Sequence, residues 1–292
     1  MHESTAIPAS PVTVQLNDLT VAAEHEGLLR ANDVDSLDAL FAVSDGESLT
    51  KPGLGSWRER IRLVLSDGEA SRTFYLKRFT EPPTAVRRAV RRSGSGASSV
   101  AGAERAWMNR LTRDGIACPT PVAFGEDLIG SRERRSALLM EEVPGQSLES
   151  WATRWRAEKQ PVVRELIEPT ASLIARLHEC GYIHRDLYLS HLFFDADAPA
   201  DRALHLIDLQ RVIRPAGRQG RWIVKDLASL NFSTPFVLFS NIDRLRWLKH
   251  YLGMSKLDAS ARRLVYRIVG KTRSIARHDS HRQARLQPRS DS

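Results

Sequence analysis

Two aspartates, a lysine and a glutamate stand out in this chain of 292 residues by their types and by where they fall. The first is Asp186, in the run Leu177-His-Glu-Cys-Gly-Tyr-Ile-His-Arg-Asp-Leu-Tyr-Leu-Ser-His-Leu-Phe-Phe194. A helical pattern closes there on Gly181, an apolar pair follows, and His184-Arg185-Asp186 precede His191 and an apolar strand pattern, Leu192–Phe194. An aspartate in a small loop, a polar side chain five positions on, and then a strand suit phosphoryl transfer. The aspartate must face the acceptor hydroxyl while the later residue points back toward metal-bound phosphates. The second aspartate, Asp208, ends the strand pattern Leu204-His-Leu-Ile-Asp. Upstream, Lys77 falls on a strand pattern and Glu104 on the next helical one, a natural ion pair. A buried Lys or Glu is usually structural and an HRD tripeptide recurs by chance. The four in this order are what point to chemistry.

The elements that must position these residues read as follows. Residues 1–12 look like a frayed leader, and the spaced apolar residues from Leu16 to Phe41 suggest a helical or loosely packed leading segment. Arg58–Leu65 and Thr73–Phe79 alternate with period two around the turn Ser66-Asp-Gly-Glu69, which predicts a hairpin with Lys77 on its second arm. Ser93–Ser99 reads as a flexible connection, followed by a helix over Ala101–Arg113 capped near Gly115. Ser136–Glu141 reads as a buried strand, and Val143-Pro-Gly-Gln146 as a linker. Helical patterns then cover Leu148–Arg156 and Val162–Cys180. A β-rich half joined by a short linker to an α-rich half predicts two lobes with a ligand cleft between them.

The His184-Arg185-Asp186 run resembles the catalytic loop of the protein-kinase-like superfamily. Ordinary protein kinases have Asn where this chain has His191, and Phe-Gly where it has Leu209-Gln210. The pattern HRDxYxxH followed by IDLxR resembles instead the lipopolysaccharide core kinases, the Kdo/heptose kinase family. So do Gly102–Gly125, with Glu104 ahead of a GIACPTPVAFG turn, and Arg221-Trp-Ile-Val-Lys-Asp-Leu227; the likeness covers roughly residues 74–232. The resemblance implies an α+β, bilobal protein-kinase-like fold, with a β-rich N-lobe, an α-helical C-lobe and the nucleotide cleft between them.

It also implies ATP and Mg²⁺ as cofactors, and roles for particular residues. Asp186, in the loop with Arg185, would orient and deprotonate the acceptor hydroxyl, and Asp208 would hold Mg²⁺ bridging the phosphates. Lys77, held by Glu104, would contact the phosphates. Met140 would back the adenine pocket, with the backbones of Glu141 and Val143 on the adenine edge. His191 takes the place of the second metal ligand; because Mg²⁺ prefers hard oxygen donors, it acts through water or braces Asp186 by a hydrogen bond. Gly53 and Gly55, in Lys51-Pro-Gly-Leu-Gly-Ser-Trp57, could let backbone approach phosphate, though a plain turn fits nearly as well.

Charge narrows the substrate. The chain carries a net +8 and its pI is near 9.9. Residues 1–50 hold nine acids against one base, Arg30, so taking that −8 out of +8 leaves +16 on the rest. The stretch between Asp208 and Asp226 holds Arg211, Arg214, Arg218, Arg221 and Lys225, no acid, and no Ser, Thr or Tyr for a phosphorylation switch. In a kinase-like fold it lies beside the acceptor, and guanidinium groups bind carboxylates and phosphates in bidentate fashion. The expected acceptor is therefore an acidic glycolipid such as the lipopolysaccharide inner core, phosphorylated on a heptose or Kdo hydroxyl. The basic tail from Arg262 onward would meet an anionic membrane surface.

The expected organisation is an acidic leading segment over 1–45, an N-lobe over 46–143, a C-lobe over 144–278, and a flexible basic tail over 279–292. Apolar residues at 42% and charged ones at 27% disfavour disordered, fibrous and membrane-spanning classes. Two cysteines, Cys118 and Cys180, offer neither a disulfide framework nor metal spacing and fit a reducing compartment. The opening MHESTAIPAS has no basic run leading into an apolar one, so no signal peptide is expected. The expected location is cytoplasmic and peripheral on the inner membrane. Nucleic acid is disfavoured as a partner, since aromatics do not interleave with the bases. Two other readings stay open: a kinase of proteins or small molecules, and a catalytically weak kinase-like binding module.

Overall fold

The structure is a computed structural model and describes residues 12–50, 55–68, 70–158, 164–199 and 202–286. These divide into two units. Unit 1 runs through the described residues to Pro144 and takes in His205–Arg214; unit 2 takes Gly145–Leu204 and the chain from Pro215 onward.

Unit 1 is built on strands β1 (Thr13–Leu16) and β2 (Leu19–Ala22), helices α1 (Glu26–Ala31) and α2 (Leu37–Ala42), and strands β3 (Glu47–Ser48), β4 (Arg58–Ser66) and β5 (Ser71–Thr80). Helices α3 (Thr84–Arg92) and α4 (Val100–Arg113) follow, then strands β6 (Pro121–Ile129) and β7 (Arg132–Glu141). The strands form one antiparallel sheet in the order β1-β2-β6-β7-β5-β4-β3. Side chains alternate across a strand, so each strand serves both faces. One face presents Ile61, Leu63, Phe74, Leu76 and Leu139 to a core closed by Leu16, Leu29 and Leu40. Across the other face, Arg60, Lys77 and Leu138 stand in one row and Arg62, Tyr75 and Met140 in the next.

The leading segment departs from the helical or loose reading. Leu16–Phe41 opens in a β-hairpin, turned on Asn17-Asp18 with Asn17 at φ 51°, and only then forms two short helices. Val14, Leu16, Leu19 and Val21 satisfy period two as well as a helical spacing, and the Asn-Asp turn settles the conflict toward a hairpin. Asp18 accepts the Leu37 N–H at 2.8 Å and so ties the hairpin to α2.

The Ser93–Ser99 connection is also firmer than a flexible linker. Ser93 donates to the Val90 carbonyl at 2.6 Å, and Arg110 donates to the carbonyls of Gly94 and Ser95 at 2.7 and 2.8 Å. The Arg214 N–H reaches the Ser93 carbonyl at 2.8 Å, and a Cβ on Gly94 (φ 84°) would meet the Arg214 carbonyl at 3.1 Å. Ser99 then caps α4 by accepting from the Gly102 N–H.

Unit 2 starts with β8 (Gln146–Ser147), α5 (Leu148–Ala157) and α6 (Ile167–Glu179), followed by β9 (Leu192–Phe194), which pairs with β8. Gly145 (φ 81°) is obligatory there, because a Cβ would meet the Phe194 carbonyl at 2.2 Å. The chain passes through β10 (Leu204–Leu206) and returns with α7 (Gly220–Ser233), α8 (Asn241–Leu252) and α9 (Ala259–Leu286). Helix α7 packs on α9, and α6 on α8. Residues 279–286, expected to be flexible, continue α9; residues 287–292 lie outside the described ones. No described helix is long and apolar enough to cross a membrane.

Candidate active site

In unit 1 the sheet face opposite the core carries a charged cluster. Lys77 on β5 donates to Glu104 of α4 at 2.5 Å, and lies 3.3 Å from Asp208. Glu104 is fully buried, so an unpaired carboxylate there would be costly, and the lysine makes its burial tolerable. Asp208 follows β10 in the left-handed conformation (φ 58°, ψ 61°) and opens the turn Leu209–Arg211. The Leu206 N–H, on the Ala117 carbonyl at 2.9 Å, anchors that stretch. A residue absent from the sequence reading joins the cluster: Arg60 on β4, opposite Lys77 in register, gives one N–H group to both Asp208 oxygens at 3.0 and 3.1 Å. The period-two run Arg58-Glu-Arg-Ile-Arg62 puts Arg58, Arg60 and Arg62 on one face and could have shown it.

The expected adenine-edge residues end β7. Met140 pairs in register with Tyr75, on the Lys77 face. The Glu141 N–H is committed to the Thr120 carbonyl at 3.0 Å, so it is not a donor for a base edge; Val143 is buried. The Glu141 side chain meets the buried His25 at 3.1 Å, and that hydrogen bond holds the carboxyl below its ordinary pKa against the opposing effect of burial. Gly53 lies outside the described residues, while Gly55 is exposed beside Trp57.

In unit 2 the Asp186 loop is held by its backbone. Helix α6 closes through Gly181 (φ 84°), whose N–H bonds the His178 carbonyl at 3.0 Å. The fully buried Asp226 of α7 accepts the N–H groups of His184 and Arg185 at 2.7 and 2.8 Å. Lys225 donates to the Arg185 carbonyl at 2.9 Å, so that residue, at φ 72°, is clamped on both sides of its backbone. His178 stands 3.4 Å from Asp226 through Nε2 and 2.8 Å from the Tyr251 hydroxyl through Nδ1. Burial, then the charges of Asp226 and Glu179, push the Tyr251 phenol pKa up. The phenol therefore stays neutral where it meets His178. Asp226, Lys225, His178 and Tyr251 escaped assignment from the sequence, although an acid among Val224, Leu227 and Leu230 marks a buried carboxylate.

His191 bonds the backbone carbonyl of Asp186 at 2.7 Å through Nδ1. A carbonyl only accepts, so Nδ1 carries the proton. The ring thus braces the Asp186 loop through the main chain. Arg211 and Arg214 belong to unit 1, Arg218 and Arg221 to unit 2, and all four are exposed. Arg185 and Arg221 each place a guanidinium over the Trp222 ring, 5.5 and 4.6 Å from its centroid.

Among the described residues no group of three or more His, Cys, Asp or Glu could hold a metal ion. The donor set fits Mg²⁺ in its nucleotide-bound form, which takes one or two carboxylates and completes its shell with phosphate and water. Asp208 supplies such a carboxylate.

A model of the lipopolysaccharide kinase (Kdo/WaaP) family matches residues 61–251, about two thirds of the chain. The chain belongs to that family. The lipopolysaccharide core heptose(I) kinase WaaP of Pseudomonas aeruginosa is 34% identical over 160 residues, 52% of this chain and 60% of that protein. The chain thus matches about three fifths of that relative's length. The enzyme of the same description from Escherichia coli K12 is 28% identical over 205 residues, 68% of this chain and 75% of that protein. A solved structure described as WaaP in complex with acyl carrier protein superposes with a TM-score of 0.62 at 26% identity, over 90% of this chain and 98% of that one. The fold is protein-kinase-like, a β-sheet-rich part and a helical part. The Kdo/WaaP match takes in Lys77, Glu104, Asp186, His191, Asp208 and Asp226; Arg60 falls just before it.

Unit 2 also has an open apolar cavity of about 900 Å³ among its helices, lined by residues that include Trp155, Ile167, Leu230, Phe239, Leu248 and Ile268.

Proposed function

We propose that the chain is an ATP-dependent kinase that phosphorylates a sugar hydroxyl of the lipopolysaccharide core, a heptose before a Kdo. The observation that carries this reading is the Lys77–Glu104–Asp208 cluster in a chain of the Kdo/WaaP family. Lys77, its ammonium fixed by Glu104, binds phosphate oxygens. Asp208 holds Mg²⁺, which when bound neutralises charge on the phosphates. Asp186 orients the acceptor hydroxyl and takes its proton as the phosphoryl group transfers. His191 holds the Asp186 peptide, and Arg185 is fixed by Asp226 and Lys225.

The exposed Arg211, Arg214, Arg218 and Arg221 bind the carboxylates and phosphates of an acidic glycolipid. The enzyme works at the cytoplasmic face of a membrane. Exposed bases of α9, among them Arg262, Arg263 and Arg267, each add roughly 1 kcal/mol of attraction to anionic lipid. A second partner follows from the solved relative and from the apolar cavity of unit 2: an acyl carrier protein, its acyl chain in that cavity. Co-elution with acylated but not unacylated carrier protein is the expected result.

Thermal stabilisation by MgATP, followed by mass spectrometry of purified lipopolysaccharide incubated with enzyme and ATP, tests the central reading. One added phosphate on an inner-core sugar is expected, and an unmodified acceptor together with no shift in melting sinks it. Neutralising Arg211, Arg214 and Arg218 together should weaken acceptor binding and flatten its salt dependence. No change in either would remove the charge argument.

A further inference from the structure

We propose that Arg60 is a second phosphate ligand of the nucleotide site, which rests on Asp208 in the ligand-free protein and transfers to the nucleotide phosphates when a divalent cation takes Asp208. This deepens the kinase reading and rests on it. The argument starts in the register. Arg60 and Lys77 are directly opposed on antiparallel strands, so their side chains leave the same face of the sheet. Like charges in that position repel, and such a pair persists only where anions answer it.

Two carboxylates are seen paired with Arg60 and Lys77 among the described residues. Glu104 is committed to Lys77, which leaves Asp208 to answer Arg60 and to share Lys77. Arg58 adds a further cation on the same strand face, two residues before Arg60. Burial lowers its pKa most, repulsion from Arg60 and Arg211 lowers it further, and Asp208 acts in the other direction. Three cations of this strand face (Arg58, Arg60, Lys77) are thus set beside Glu104 and Asp208. The Arg58 Nε is buried and has no hydrogen-bond partner among the described residues. A positive strand face with the buried Arg58 Nε left over suits an anion, and a triphosphate supplies one.

Arg60 suits the exchange. It is 39% exposed on its side-chain surface and is held by its backbone, its N–H on the Thr50 hydroxyl at 3.1 Å and its carbonyl accepting the Leu49 N–H at 2.8 Å. The guanidinium can therefore change partner without disturbing the strand. A divalent cation on Asp208 draws on the same carboxylate and repels the adjacent guanidinium, which weakens the Arg60 contact. A guanidinium freed from that carboxylate finds phosphate oxygens as an equivalent bidentate acceptor.

The test is nucleotide binding by calorimetry on the full chain, with wild type, R60Q and R60K, against MgATP and against adenosine. R60Q should bind MgATP about tenfold to a hundredfold more weakly, the range of one charge-assisted hydrogen bond, with adenosine affinity unchanged. R60K should recover part of the loss, and the dependence of MgATP affinity on salt should be flatter in R60Q. Melting curves close to wild type would certify the fold of both variants. R60Q binding MgATP as tightly as wild type would overturn the inference and leave the kinase reading standing. Tighter binding would overturn it too, since Arg60 would then only compete for Asp208. A wild-type chain that binds no MgATP would sink the kinase reading and this inference with it.

Discussion

The two units hold their functional groups by different means. In unit 1, Lys77, Glu104, Arg60 and Asp208 hold one another by side-chain charge, through contacts that a phosphate or a cation could enter. In unit 2, the Asp186 loop is held through its peptide groups: Asp226 takes two N–H groups, Lys225 a carbonyl, and His191 another. Ion pairs between side chains can exchange partners at modest cost, whereas a buried carboxylate on backbone N–H groups has no other partner to turn to. A site that must admit a polyanion benefits from the first arrangement. A group that must hold one oxygen in place for proton transfer benefits from the second. Substitutions that conserve charge should therefore be tolerated better in unit 1 than in unit 2.

The largest expected effect is on chemistry. Asp186→Asn keeps the shape of the side chain but cannot take a proton, and phosphotransfer should fall by about 10²–10⁴ with melting unchanged. An asparagine variant with full activity would remove Asp186 from its role. Next comes Asp226→Ala, which strands the N–H groups of His184 and Arg185 in a fully buried position. Urea unfolding should show a loss of about 3–5 kcal/mol. A loss under ~1 kcal/mol would mean that the loop does not depend on that carboxylate.

For unit 1 the corresponding break is Lys77→Met, which leaves Glu104 buried without its cation and should cost about 3 kcal/mol. Adding Glu104→Leu should restore part of it, with a coupling of about 1–3 kcal/mol between the two sites. Additive effects would show that the pair is not a unit. The smallest effect is a pH dependence. Burial raises the Cys118 thiol from 9.0 to about 11, against weaker lowering by Thr112. Because the folded pKa is the higher one, the stabilisation is complete below pH 9 and is lost as pH rises to about 11. Over that window Cys118→Ala should lose less stability than wild type, by about 2 kcal/mol, in parallel urea titrations.

How much was legible in the sequence divides along local and distant contacts. Lys77, Asp186 and Asp208 could be set on their elements because each sits at a fixed step from a strand or a helix end, and short-range spacing records that, while their expected roles rest on the family resemblance. The hairpin at β4–β5 was legible for the same reason, since both arms alternate around Ser66-Asp-Gly. Asp226 was not, because its partners His184 and Arg185 lie 42 and 41 residues away. Arg60 was passed over although its alternation was visible. Its meaning depends on Asp208, 148 residues on, and no periodicity reports a contact of that length. The β1–β2 hairpin was misread because four-residue strands are too short for the two periods to separate.

The hairpin and short helices of residues 13–42 have a practical consequence. They close the core under the sheet face opposite Lys77, through Leu16, Leu29 and Leu40 among others. A fragment cut to the family-matched stretch, 61–251, would keep Lys77, Asp186 and Asp208 and lose that cover. Ile61, Leu63, Phe74 and Leu76 would then be laid open as an apolar sheet surface, the kind of patch that drives aggregation. Expression boundaries for this protein should therefore be drawn ahead of β1, because residues 13–42 act as a lid on the hydrophobic underside of the sheet that carries Lys77.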